Sequence, residues 1–120
     1  MARMWTRDQE DAIRARRGTL LVSAAAGSGK TSVLVERFLE RITDEENPSD
    51  ADRLLVVTYT RAAAEEMRGR ISRRIDSLLE SDPGNLHLRR QQILLSHAHI
   101  STIHSFCADL VRENFFRLGI

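Results

Sequence analysis

The stretch TLLVSAAAGSGKTSVLVERFLERI, residues 19–42, decides how the chain is read. Residues 19–23 are short, apolar and β-branched at Thr19 and Val22, the pattern of a buried strand. Residues 24–29 form a tight loop of small side chains. From Lys30 onward, Leu34, Val35, Phe38, Leu39 and Ile42 line one face at helical spacing. A strand, a small-residue loop and a helix therefore follow one another without interruption. Lys30 is the only lysine in the chain, and arginine is written everywhere else that a permanent cation stands.

That order is where a P-loop belongs. The loop reads A-x-x-G-x-G-K-T, with Ala24 where the usual pattern has its first glycine. Gly27 and Gly29 permit backbone conformations that other residues resist, so bare N–H groups can turn inward around phosphate oxygens. The helix that follows adds its positive end. Ala24, Ala25, Ala26, Gly27, Ser28, Gly29, Lys30, Thr31 and Ser32 are the expected nucleotide site. Lys30 reaches the β- and γ-phosphates of ATP in this reading, and the Thr31 hydroxyl serves Mg²⁺. The plainer reading is a small-residue turn with a solvated lysine. Lysine usage speaks against it: arginine serves any surface role here, whereas a narrow loop asks for a compact ammonium rather than a broad guanidinium.

Working outward, 120 residues suffice for one small domain, with 42% hydrophobic and 29% charged residues. A formal net charge of +1 makes any nucleic-acid site a local feature. The single cysteine, Cys107, forms no internal disulfide and suits a reducing cytoplasm. No apolar run approaches the roughly 20 residues of a membrane span, and the N-terminus has no signal-peptide core. We expect a helix at 7–17, with Thr6 and Gln9 spaced as a capping box. A second strand follows at 53–58, a long helix at 61–79 and a short helix near 86–95. A third strand is expected at 97–102, and a closing helix at 103–116. Ala64, Met67, Ile71, Ile75 and Leu78 stripe the long helix. Phe106, Leu110, Val111 and Phe115 stripe the last. Strands alternating with helices give an α/β fold with a parallel sheet. Three strands are few for such a sheet, so the chain reads as part of a larger domain.

Two later stretches narrow the class. LLVVTYTRAAAEEMRGRI, residues 54–71, resembles motif Ia of superfamily 1 UvrD/Rep/PcrA-like DNA helicases, T-F-T-N-x-A-A-x-E-M-x-x-R-I. ISTIHSFC, residues 100–107, resembles motif Ib, T-F-H-S-F, and WTRDQEDAI, residues 5–13, resembles the Q motif. With the P-loop they occur in the family's order. Within the group the chain looks similar to the AddA-type subunit of the AddAB helicase–nuclease. Tyr59, Arg61 and Ile103 depart from the commoner Phe, Asn and Phe.

The resemblance implies a P-loop NTPase (RecA-like) three-layer α/β/α fold with a partial parallel sheet. Residues 1–120 would be the N-terminal part of the first motor domain. It implies an ATP-dependent 3′-to-5′ DNA helicase and exonuclease subunit that works with Mg²⁺ in double-strand break repair and recombination. It implies an AddB-like partner and a bacterial cytoplasm, with nucleoid association during repair. Lys30 would be catalytic, neutralising developing phosphate charge. Gln9 would read adenine; alternatively it only completes the capping box with Thr6. Thr58, Tyr59, Thr60, Arg61, Thr102 and His104 would contact single- or double-stranded DNA. Tyr59 could instead pack on the next helix, Thr60 could cap it, and Arg61 could be solvated. Arg37 lies about two helical turns after Lys30 on roughly the same face, where it could approach the nucleotide, but a surface arginine is the favoured reading. Arg68, Arg70, Arg73 and Arg74 read as a solvated helix face rather than a DNA patch. Four histidines and one cysteine do not make a zinc site. Asp44, Glu45 and Glu46 follow no apolar strand, so none reads as the Walker B acid that holds Mg²⁺. The chain alone is therefore expected to bind nucleotide or DNA without turnover. A P-loop enzyme that never meets DNA is the remaining alternative.

Overall fold

The computed structural model describes residues 4–16, 18 and 29–119. The expected strand at 19–23 and the loop residues 24–28 lie outside the described residues. Two compact units divide the chain, Met1–Ser49 and Asp50–Ile120.

In the first unit, helix α1 spans Arg7–Arg14 and helix α2 spans Lys30–Thr43. The capping box that starts α1 is complete. The Gln9 N–H donates to Thr6 Oγ1 at 3.2 Å, and the Thr6 N–H donates to Gln9 Oε1 at 2.9 Å. The helix stops short of the expected residue 17, because Ala15 turns extended at ψ 132°. Arginine side chains bond its last carbonyls instead. Ala12 and Ile13 pack with Val33 of α2, and Trp5 lies against them. On α2 the buried face is Val33, Val35, Phe38, Leu39 and Ile42, whereas Leu34 is 50% exposed. The apolar stripe is thus shifted from the expected one: Val33 takes the inward place assigned to Leu34.

The second unit begins with a single 3-10 turn, Ala51–Arg53, that leads into strand β1, Leu55–Thr58. Helices α3, Arg61–Ser81, and α4, Leu86–Leu94, follow, then a 3-10 turn at Leu95–His97. Strand β2, His99–Thr102, and helix α5, Ile103–Leu118, complete the unit. The strands pair in parallel with Leu55 opposite His99, Val56 opposite Ile100, Val57 opposite Ser101 and Thr58 opposite Thr102. The α3–α4 connection supplies the long crossover that parallel neighbours need. The expected second and third strands are therefore present, each shorter at its start because 3-10 turns take the first residues. A mixed helical fold with a small parallel sheet is what the described residues form.

The core of this unit is one face of α3, formed by Ala64, Met67, Ile71 and Ile75, with Leu88, Leu95, Ala98 and Ile100. Leu78 of the expected stripe is half-buried. Burying an isoleucine such as Ile71 or Ile75 contributes roughly 1.5–3 kcal/mol. One polar side chain lies among them. Gln91 is 0% exposed, and both ends of its carboxamide are bonded: Oε1 accepts the Ala51 N–H at 2.7 Å, and Nε2 donates to Asp50 Oδ1 at 2.8 Å. It ties α4 to the turn before β1. Arg68 of α3 does the same for the approach to β2, donating to the carbonyls of Leu95, Ala98 and Ile100 at 2.5, 2.9 and 3.4 Å. It is a buried-end grip, not the solvated arginine expected from sequence. None of the apolar stripe of α5 is buried, and Leu110, Val111 and Phe115 are exposed.

Candidate nucleotide and nucleic-acid sites

Gly29 precedes α2 with φ 85° and ψ 23°, a left-handed conformation that side chains with a Cβ disfavour. The sequence needs glycine there to turn the loop into the helix. Lys30 and Thr31 follow as exposed residues and Ser32 as a half-buried one. No acidic residue stands in the first turn of α2. Acids usually occupy that turn because it meets the positive end of the helix. Here the ammonium of Lys30 adds positive charge to it, an arrangement suited to a polyanion. Thr31 contributes a hydroxyl of the kind a magnesium ion accepts as a ligand. The donor set fits a nucleotide polyphosphate. The remainder of the loop, Ala24, Ala25, Ala26, Gly27 and Ser28, lies outside the described residues.

Gln9 stands on the first turn of α1, half-buried, with its carboxamide oxygen engaged by the Thr6 N–H. The capping role expected as an alternative is therefore present. It fixes the carboxamide rather than leaving it to sweep through solvent. Arg37, expected at the surface, is engaged instead. Its Nη1 donates to Ala12 O and to Ala15 O, each at 2.7 Å. Burial lowers the Arg37 pKa from its ordinary value, and the neighbouring charges of Arg41 and Arg16 lower it further. Asp44, just after α2, accepts the Glu46 N–H at 2.9 Å and the Asn47 N–H at 3.2 Å and pairs with Arg16 at 3.5 Å. Those backbone bonds, before the arginine, hold its carboxyl below the usual carboxylate range. This carboxylate closes a turn.

The second site is assembled by the register of the sheet. Thr58 and Thr102 end their strands as the last ladder pair. Tyr59, Thr60 and Arg61 leave β1 at the same edge at which Ile103 and His104 leave β2. The Tyr59 side chain is 104% exposed, so it does not pack on the next helix. Thr60 caps α3 by accepting the Ala63 N–H at 3.1 Å, and Thr58 Oγ1 donates to the Thr60 carbonyl at 2.9 Å. Thr102 caps α5 by accepting the Ser105 N–H at 3.2 Å, and donates to Ser105 Oγ at 3.0 Å. The three threonine hydroxyls thus order the backbone of this edge. Arg61 and His104 are exposed at the starts of α3 and α5. Two helix N-termini, a free-standing aromatic ring, a guanidinium and an imidazole are gathered along one edge. Sequence reasoning named these residues but missed Ser105 as the partner of Thr102. The Thr-x-x-Ser spacing at a helix start was the available signal. His99, at the other end of β2 from Thr102, meets the Phe106 ring edge-on at 5.8 Å. No helix among the described residues is long and apolar enough to cross a membrane.

Residues 5–120 match the family described as the UvrD/REP helicase N-terminal domain. The chain is 57% identical over 116 residues to an ATP-dependent helicase/nuclease subunit of Acetivibrio thermocellus, covering 97% of this chain and 9% of the relative. It is 57% identical over 118 residues to the protein of the same name from Moorella thermoacetica, covering 98% and 8%. The protein of that name from Exiguobacterium sibiricum is 49% identical over 120 residues, covering 100% and 10%. The resemblance expected from the motifs is borne out by the family match and by these relatives. The chain spans 8–10% of their length.

Proposed function

Because the chain belongs to the family of UvrD/REP helicase N-terminal domains, we propose that it is the ATP-binding part of an ATP-dependent 3′-to-5′ DNA helicase/nuclease subunit. In this proposal residues 1–120 open the first RecA-like motor domain, with the three-layer P-loop architecture around their part of the sheet. The parent works with a second subunit on DNA in double-strand break repair and recombination. The names of the relatives, each one subunit of a helicase/nuclease, support that reading.

Within it, the loop 24–29 and the first turn of α2 hold the polyphosphate of ATP, Lys30 neutralises it and Thr31 supplies a ligand to Mg²⁺. Bound ATP supplies the phosphoryl bond whose hydrolysis powers stepping. Gln9 contacts adenine. The observation that carries the DNA half is the Thr58–Thr102 pairing. It brings Tyr59 and His104 to one edge, where a base stacks on the exposed ring and the backbone phosphates meet Arg61 and the two helix starts. Thr58, Thr60 and Thr102 line that path.

The test is fluorescence anisotropy of a labelled oligo-dT with the chain at increasing salt. Binding that weakens steeply with salt and is lost in Tyr59→Ala supports the proposal. Binding indifferent to both overturns it.

A second reading concerns the chain by itself: it binds nucleotide and strand but turns nothing over. Both described strands end in threonine rather than in an acid, and Asp44 is engaged in its own turn. ATP hydrolysis by residues 1–120 that disappears in Lys30→Ala would overturn this reading.

A further inference from the structure

Eight residues make α1 a lever about 12 Å long. Its first turn carries Gln9, and its last turn is held by side chains. The final four carbonyls of a helix have no partner within it. In α1 and its cap, those of Ala12 and Ala15 accept from Arg37, and those of Ile13 and Arg14 accept from Arg16 at 3.1 Å each. Arg37 belongs to α2 itself. Arg16 is braced against the same helix and the turn beyond it, reaching Glu40 at 3.7 Å and Asp44 at 3.5 Å. Two guanidiniums thus finish α1 and fasten it to the helix that begins at Lys30. Cations also suit the negative end of the α1 dipole. Drawing the Arg37 charge partly out of water is unfavourable unless it is hydrogen-bonded, so the position is held by these bonds. Both bonds leave one nitrogen, Nη1, which the planar guanidinium aims from a stem one bond longer than that of lysine, so a lysine ammonium neither reaches as far nor is held in one direction.

We infer that Arg37, with Arg16 beside it, is a positioning residue for nucleotide selection, fixing the angle at which α1 presents Gln9 to a nucleotide whose phosphates lie at Lys30. A base read at one place and phosphates held at another must be matched by a set spacing. The clamped α1–α2 pair supplies it. The inference rests on the proposed adenine contact of Gln9 and polyphosphate contact of Lys30.

The experiment is displacement of a fluorescent ATP analogue from the full chain by ATP, GTP or inorganic tripolyphosphate. The wild type prefers ATP to GTP by roughly tenfold, the factor about one net hydrogen bond supplies. Arg37→Lys brings the two within about twofold, leaves tripolyphosphate displacement unchanged and has no further effect in a Gln9→Ala background. Arg16→Lys gives a smaller change of the same kind, and serves where Arg37→Lys melts early. Equal weakening of ATP and tripolyphosphate, or an ATP preference intact in both variants, overturns the inference. A wild type that binds tripolyphosphate without preferring ATP instead removes the Gln9 reading, and one that does not bind tripolyphosphate removes the Lys30 site. Either result takes the inference down, and each is distinct from failure of the clamp alone.

Discussion

Thr58 stands opposite Thr102 as the terminal pair of the parallel ladder; Thr102 leads directly into helix α5, and Thr58 leads into α3 through the two-residue bend of Tyr59 and Thr60. The segments after them are therefore neighbours in space although more than forty positions separate them in sequence. Adjacent strands lie about 4.8 Å apart, close enough for one nucleic-acid strand to touch both segments.

Tyr59 is the first residue past that pair and has no packing to lose. Tyr59→Ala is expected to weaken oligo-dT binding by about 1–3 kcal/mol, the worth of one stacked base, while Tyr59→Phe stays near wild type. Anisotropy titrations read the affinity. Chemical denaturation, expected to move by no more than about 0.5 kcal/mol, shows that the fold is unaffected. A large stability change in Tyr59→Ala would contradict the exposure of the ring.

Lys30 is exposed at the start of a helix with no acid in its first turn. Lys30→Ala is expected to weaken ATP binding by at least about tenfold through loss of a charge-assisted contact. Lys30→Arg should not restore it, because the proposed phosphate site takes a compact ammonium rather than a broad planar guanidinium. Calorimetric titration with ATP and Mg²⁺ decides between a geometric and a purely electrostatic demand: recovery of affinity in Lys30→Arg would show that charge alone suffices.

Arg68 grips three backbone carbonyls around the start of β2. Hydrogen bonds to a charged donor contribute about 1.5–3 kcal/mol. Arg68→Ala is thus expected to lower unfolding free energy by about 2 kcal/mol or more, with Arg68→Lys recovering only part. Urea denaturation followed by circular dichroism measures both. An unchanged midpoint in Arg68→Ala would mean that the grip is replaced by water without loss.

Asp50 accepts from Gln91 and lies 3.2 Å from Arg90, and these contacts, the Gln91 bond first, hold its carboxyl below the ordinary 3.8. A folded-state pKa below the unfolded one contributes stability that is present above the unfolded value and lost as pH falls through the folded one. The chain should therefore lose stability below about pH 4, and Asp50→Asn should flatten that part of the profile. Thermal melts between about pH 2.5 and 7 supply the comparison, and an unchanged acid slope in Asp50→Asn would rule this carboxylate out as a contributor. Gln91→Leu leaves the buried Ala51 N–H without its acceptor, an expected cost of about 1–3 kcal/mol at neutral pH.

Local chemistry is readable directly. Thr6 with Gln9, Thr60 before α3 and the apolar stripe from Ala64 to Ile75 all act within one or two helical turns, where sequence spacing is spatial spacing. Gly29 is readable too, because a left-handed turn into a helix selects glycine. The strand pairing follows from the alternation of elements, but the overhang of 3-10 turns before β1 and β2 does not. Arg16, Arg37 and Arg68 escape a sequence reading for a common reason. Backbone carbonyls carry no sequence signature, and the ones that Arg37 and Arg68 bond lie 22 to 32 positions away. Leu34 differs from its expected place because two adjacent aliphatic residues straddle the edge of the α2 face, and only packing chooses between Val33 and Leu34.

The exposed lysine at the head of α2 has a practical corollary. Apart from the α-amino group, it is the chain's sole primary amine, so an acylating or aldehyde-based dye has one side chain to label. That label would stand in the first turn of α2, and acylation there would remove the charge proposed to meet the phosphates. The arginines that lock the helices are inert to such reagents, so a loss of ATP binding on acylation would be traced to this one side chain.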